Sequence, residues 1–225
     1  MLLGGKIGLD SLVYKPTRIL IKKNGVWVTG NYLWNAAQTD ADLMENTFNP
    51  AISFIDENDN TVNISYVVPA KPDCFTCHQN RSQVTPIGPK LRNMNLVANG
   101  HNQLQSLINR QWLTGIVHPA EIPALPNSKD PNVSLELRAR AYLEVNCAHC
   151  HTDDGFCAGP FNPSLRLSYA TPFADTQLDD YGSSINYVMD PQRFEEVGFK
   201  MPMIGTTVPD DAGINLVKAY IESLD

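Results

Sequence analysis

Arg138-Ala-Arg-Ala-Tyr-Leu-Glu-Val-Asn-Cys-Ala-His-Cys-His151 carries the plainest chemical signal in this 225-residue chain. It begins as a helix capped by Ser134, with Leu135, Ala139, Tyr142 and Leu143 on one face. The helix runs through Asn146 directly into Cys147-Ala-His-Cys-His151. The same spacing recurs upstream as Cys74-Phe-Thr-Cys-His78. Two thiols three positions apart reach the two vinyl groups of one porphyrin and form thioethers. The adjacent His is then held under the ring as the proximal iron ligand. The expected cofactors are therefore two covalent haem c groups, attached through Cys74 and Cys77 and through Cys147 and Cys150. His78 and His151 are the expected proximal iron ligands.

The competing reading is a zinc site built from two Cys-x-x-Cys knuckles. Structural zinc ribbons space their pairs by about 15–20 residues and need no His after each pair. The pairs here lie much further apart, and both carry the His. A disulfide scaffold would want an even number of Cys at higher density, whereas this chain has 5. The fifth, Cys157, reads as a small buried hydrophobe.

Working outward, Thr17 to Trp34 reads as a β-hairpin turning at Asn24-Gly25, the φ > 0 pair of a type I′ turn. A second pair is expected from Ala51–Ile55 and Val62–Val68 around a polar turn at Asp56–Asn60. Pro69-Ala-Lys-Pro72 closes this β-region. Helical spacing appears next in Leu104, Leu107, Ile108 and Trp112, and again in Ile214, Val217, Tyr220 and Ile221 after Asp210-Asp211. Between them lies a Pro- and Asn-rich loop from His118 to Asn132. The fold class expected is α+β: an antiparallel β-region over 1–70, then two mainly α-helical haem domains over 71–133 and 134–225. Trp27, Trp34 and Trp112 are expected in ordinary core roles.

From Arg138 to His151, and again in Lys200-Met-Pro-Met-Ile-Gly205 with the helix after it, the chain resembles the class I cytochromes c. The whole chain also resembles, more loosely, an exported bacterial dihaem family of unknown function. That likeness rests on Tyr32-Leu-Trp-Asn35, Gln38-Thr-Asp-Ala41, the Pro-x-x-x-x-Cys-x-x-Cys-His run from Pro69 to His78, the Ile87-Gly-Pro89 stretch and Asn146-Cys-Ala-His-Cys-His151. The class I resemblance implies Met201 as the distal ligand of the second haem, with Met203 the neighbouring alternative; a thioether opposite His raises the reduction potential. For the first haem the distal ligand is read as His118, with Met94 as the alternative, and His101 or an open iron beyond these. The resemblance further implies that a backbone carbonyl near Pro86, Gly88 and Pro89 accepts the proximal imidazole N–H of the first haem, and that Pro160 does so for the second. His149 is read as a variable residue inside its motif, pointing away from the iron that His151 holds.

The net charge of -7 and the pI of about 5.2 disfavour binding to nucleic acid or to anionic membrane surfaces. They suit a redox partner with a basic patch, and allow self-assembly or a place in a larger redox complex. No stretch is long and apolar enough to span a membrane. The opening Met1-Leu-Leu-Gly-Gly-Lys6 is too short and too quickly polar for a secretory signal. Haem attachment of this kind takes place outside the cytoplasmic membrane, so a periplasmic or extracellular bacterial protein is expected. The function expected is electron transfer rather than enzymatic turnover. The alternatives are a dihaem peroxidase-like enzyme with an open iron at the first haem, or a cytochrome subunit of a larger electron-conducting assembly.

Overall fold

Asn24 and Gly25 adopt φ of 51° and 82° and close the first hairpin of the computed structural model. The model describes residues 16–56, 59–158, 165–179, 185, 188–190 and 200–224. The hairpin joins β1 (Pro16–Lys23) to β2 (Val26–Trp34), which then pairs with β3 (Ala41–Met44) to give an antiparallel sheet in the order β1-β2-β3. Both residues of a type I′ turn need positive φ, which Gly adopts freely and Asn tolerates. Trp34 Nε1 donates to Thr17 Oγ1 at 2.8 Å across the hairpin. A second antiparallel ladder pairs β4 (Ala51–Ile55) with β5 (Thr61–Ser65), as the alternation in sequence implies. It is extended by a bridge between Phe48 and Val68.

The β-region is fastened to the first Cys-x-x-Cys-His segment. Buried Asn31 on β2 donates through Nδ2 to the carbonyl of Pro69 at 2.8 Å. This ties the first sheet to the segment that leads into α1 (Cys74–His78). Two short ladders come next in the chain: β6 (Gln79–Asn80) with β7 (Gln83–Val84), and β8 (Val97–Ala98) with β9 (His101–Asn102) on either side of a turn. Between the two ladders lies α2 (Leu91–Met94).

The helix expected to reach Trp112 stops earlier, as α3 (Gln103–Asn109). Gln111 takes a left-handed φ of 59°, which ends the α-helical hydrogen-bond series. Trp112 is consequently 72% exposed rather than core, with the Arg110 guanidinium stacked 5.1 Å from its ring.

The main core lies between α4 (Leu135–Asn146) and α6 (Asp211–Glu222), with α5 (Phe173–Thr176) preceding α6 in the chain. Ser134 Oγ accepts from Leu137 N, and Asp210 Oδ1 from Gly213 N, so both long helices begin on the caps their sequences imply. Ala139 and Leu143 of α4 meet Ile214, Val217, Tyr220 and Ile221 of α6, all buried. Leu167, Leu178, Ile185 and Met189 complete this core, and Met201 packs against it. The helices come close because Gly213 leaves no side chain: a Cβ there would lie 2.1 Å from the ring of Tyr142. The architecture is thus α+β, with small antiparallel sheets and a helix-pair core. Among the described residues no helix is long and apolar enough to cross a membrane.

Candidate haem-binding site

The first Cys-x-x-Cys-His pentad forms α1 itself, and its His is oriented by the β6–β7 hairpin. Thr85 N donates to the His78 carbonyl at 2.8 Å, which folds this hairpin back onto α1. The same fold brings the Thr85 carbonyl to 2.8 Å from His78 Nδ1. A carbonyl only accepts, so Nδ1 carries the proton and Nε2 keeps its lone pair for a metal. The sequence expectation placed this carbonyl near Pro86, Gly88 and Pro89; it belongs to Thr85, immediately before them.

Cys74, Cys77 and His78 all line one cleft enclosing about 820 Å³, part of it open to solvent. Its walls are largely apolar, and Arg18, whose guanidinium donates to Tyr66 Oη at 3.1 Å, stands among its lining residues. His149, from the second pentad, lines the same cleft.

The second pentad leaves α4 in a tight turn. Cys147 N and Ala148 N both donate to the Leu143 carbonyl, and His151 N donates to that of Cys147 at 3.0 Å. Cys147, Cys150 and His151 line a second, apolar cavity of about 420 Å³. Met201 and Met203 line it too. Met201 also faces a chamber of about 410 Å³ bounded by Tyr142, Met189 and Ile214. Met203, two residues on, is 38% exposed.

Burial, with a smaller contribution from the charge of His149, pushes the His151 ring below its ordinary pKa. The ring is therefore held neutral, the form that binds metals. His151 Nδ1 is buried and has no hydrogen-bond partner among the described residues. Pro160, expected to supply one, lies outside the described residues. Burial pushes the Cys147 thiol up to about 12, with the nearby Cys157 adding to it. Cys157 is buried beside this cavity, as its reading as a small hydrophobe implies.

The two pentads meet. Cys150 Sγ contacts the Thr76 carbonyl at 3.3 Å, although 74 positions separate them in sequence. The ligand atoms of Cys77, His149 and Cys150 all lie within 4.8 Å of one another. The hydrogen bond from Cys150 draws the Cys77 thiol well below the ordinary thiol range against the opposing effect of burial, helped by His149 and His78, and pushes Cys150 up. Arg81 N donates to the Asp154 carbonyl at 2.7 Å, and Lys90 Nζ lies 2.5 Å from the buried carboxylate of Glu144. Arg92 and Arg140 both stack on the Tyr169 ring, at 4.8 and 5.7 Å.

No protein-family model, curated protein or solved structure matches this chain. Its chemistry is read from its own residues.

By its donors the set fits two haem groups: each pentad lines one cleft with both thiols and its His, and His78 Nδ1 faces a carbonyl, which leaves Nε2 for a metal. The first-haem distal candidates fare differently. His118 is exposed at the start of a 3₁₀ turn (Pro119–Glu121), where its Nδ1 accepts from Ala120 N at 3.1 Å. Its ring serves as a helix cap. Neither His118, Met94 nor His101 is among the residues lining the first cleft. Reading the sequence misses the position of His149. Its only local sign is a second His inside the pentad.

Proposed function

We propose that this chain holds two haem c groups and passes single electrons outside the cytoplasm. The observation that carries the reading is that each pentad opens both thiols and its His onto one cavity, with Met201 on the second. When bound, the two haem irons supply reversible one-electron chemistry. The residues do the rest. Cys74 and Cys77 would hold one macrocycle, and Cys147 and Cys150 the other. Thr85 orients His78, and burial keeps His151 neutral. Met201 would supply a thioether, a weak donor that favours the reduced state and would raise the potential of the second site. The segments around the pentads, 71–133 and 134–225, act as two cytochrome c-like units behind an N-terminal β-region. The acidic surface suits a redox partner with a basic patch.

Optical and redox titration of the purified protein tests this reading. Two haems that cycle reversibly between oxidised and reduced forms, without binding cyanide or peroxide, are expected. A high-spin haem that binds peroxide rapidly would replace the carrier reading with the peroxidase-like one.

A second reading rests on Cys77, His149 and Cys150, whose ligand atoms cluster within 4.8 Å. Two thiolates and an imidazole are a zinc-type donor set. That reading uses three residues and leaves Cys74, His78, Cys147, His151 and Met201 without a common purpose. Elemental analysis separates the two: one zinc per chain with no haem absorbance would establish the zinc site.

A further inference from the structure

We infer that His149, carried by the second pentad, is the second axial ligand at the first haem site. The inference rests on the two-haem reading above. Among the described residues, the cleft that holds Cys74, Cys77 and His78 is lined by one other His or Met side chain, His149. Its ligand nitrogen lies within 4.8 Å of Cys77 Sγ, at the place where the first cleft adjoins the second cavity, which His149 also lines. A distal ligand must be a neutral nitrogen or a thioether presented to the same cavity as the proximal His. Of the four candidates, His118, Met94 and His101 do not line the cleft, and His149 does.

His149 is also held there by more than its own contacts. The backbone of the second pentad is pinned by hydrogen bonds to Leu143 and Cys147 at the end of α4. The first pentad is pinned to the second through Thr76–Cys150, Arg81–Asp154 and Lys90–Glu144. Each of these contacts crosses from one attachment segment to the other, so the turn that carries His149 is held against the first pentad. The consequence is that the first site takes two imidazoles while the second takes imidazole and thioether. The first site then lies at the lower potential. It is linked to the second through the single peptide bond between His149 and Cys150.

The test uses the haem-loaded protein, with mass spectrometry to count haems and EPR with near-infrared spectra to read their ligands. The wild type should carry two low-spin haems, one with bis-imidazole signals and one with a methionine–iron charge-transfer band. His149→Ala should retain both haems, lose the bis-imidazole signal and gain a high-spin one, and added imidazole should restore the low-spin state. If His149→Ala disturbs attachment, His149→Met provides the second arm: the charge-transfer band should double in intensity. Two low-spin haems with unchanged signals in both variants, or loss of the bis-imidazole signal in His118→Ala instead, would overturn the inference while leaving the two-haem reading intact. A wild-type protein without haem would overturn both.

Discussion

Replacing Gly213 with Ala tests the packing that brings α4 and α6 together over the second cavity. The added Cβ would lie 2.1, 2.2 and 2.3 Å from Cε2, Cζ and Oη of Tyr142, far inside contact distance. The Tyr142 ring cannot yield freely, because its hydroxyl is hydrogen-bonded to Asp210, the residue that caps α6. Overpacking of this kind costs about 1–3 kcal/mol. Losing the tyrosine hydrogen bond adds roughly 1 kcal/mol. The helix propensity of Ala over Gly returns about 1 kcal/mol. The net expectation is destabilisation by about 2 kcal/mol, which in a chain of this size lowers Tm by roughly 4–8 °C. Thermal unfolding tracked by circular dichroism reads the shift directly. The same substitution in a Tyr142→Ala background should cost far less, since the atoms it strikes are gone. A Gly213→Ala protein as stable as the wild type, or more so, would refute the close helix contact.

Three further outcomes are expected from named contacts. Glu144 is 3% exposed, and its carboxylate accepts from both Lys90 and Tyr169 N, whereas Lys90 is 44% exposed. Glu144→Ala should therefore cost about 1–3 kcal/mol in urea unfolding. Lys90→Ala should cost less than about 1 kcal/mol, and equal losses would contradict the asymmetry in burial. Asn31→Ala removes the buried donor to Pro69, and should lower stability by about 1–3 kcal/mol; an unchanged urea midpoint would show that the β-region is not fastened there. In the haem-loaded protein Met201→Ala should abolish the methionine–iron charge-transfer band, and Met203→Ala should leave it in place. Survival of the band in Met201→Ala would move the ligand role elsewhere.

The parts of this fold that are legible in the sequence are those whose signals are local and repeated. The apolar faces of α4 and α6 each span several turns with a capping residue in front, so their ends fall where Ser134 and Asp210 place them. The Asn24-Gly25 turn fixes its hairpin register by geometry alone. The ladders at β6–β7 and β8–β9 hold two residues per strand, too few for any alternation to register. In α3, helical spacing continues to Trp112, but a left-handed Gln111 ends the helix; nothing in side-chain periodicity encodes that backbone step.

The site divides in the same way. The residues proposed for haem attachment are legible because the Cys-x-x-Cys-His spacing occurs twice in the sequence. Met201 is marked by its neighbours in sequence, and it lines the expected cavity. Sequence order does not say which distant segment packs against α1, and so does not mark the distal ligand proposed for the first site. His118 has a suitable neighbour in Pro119, yet its ring caps the turn that this proline begins. His149 escapes a reading along the chain because its partner Cys77 belongs to the other pentad.

The most direct test is mass spectrometry of the intact and proteolysed protein, produced in a bacterium that attaches haem outside its cytoplasmic membrane. The expected result is a chain heavier than its polypeptide by two haem groups, one on the peptide bearing Cys74 and Cys77 and one on that bearing Cys147 and Cys150. A chain of bare polypeptide mass, with all four thiols open to alkylation, would contradict the two-haem reading.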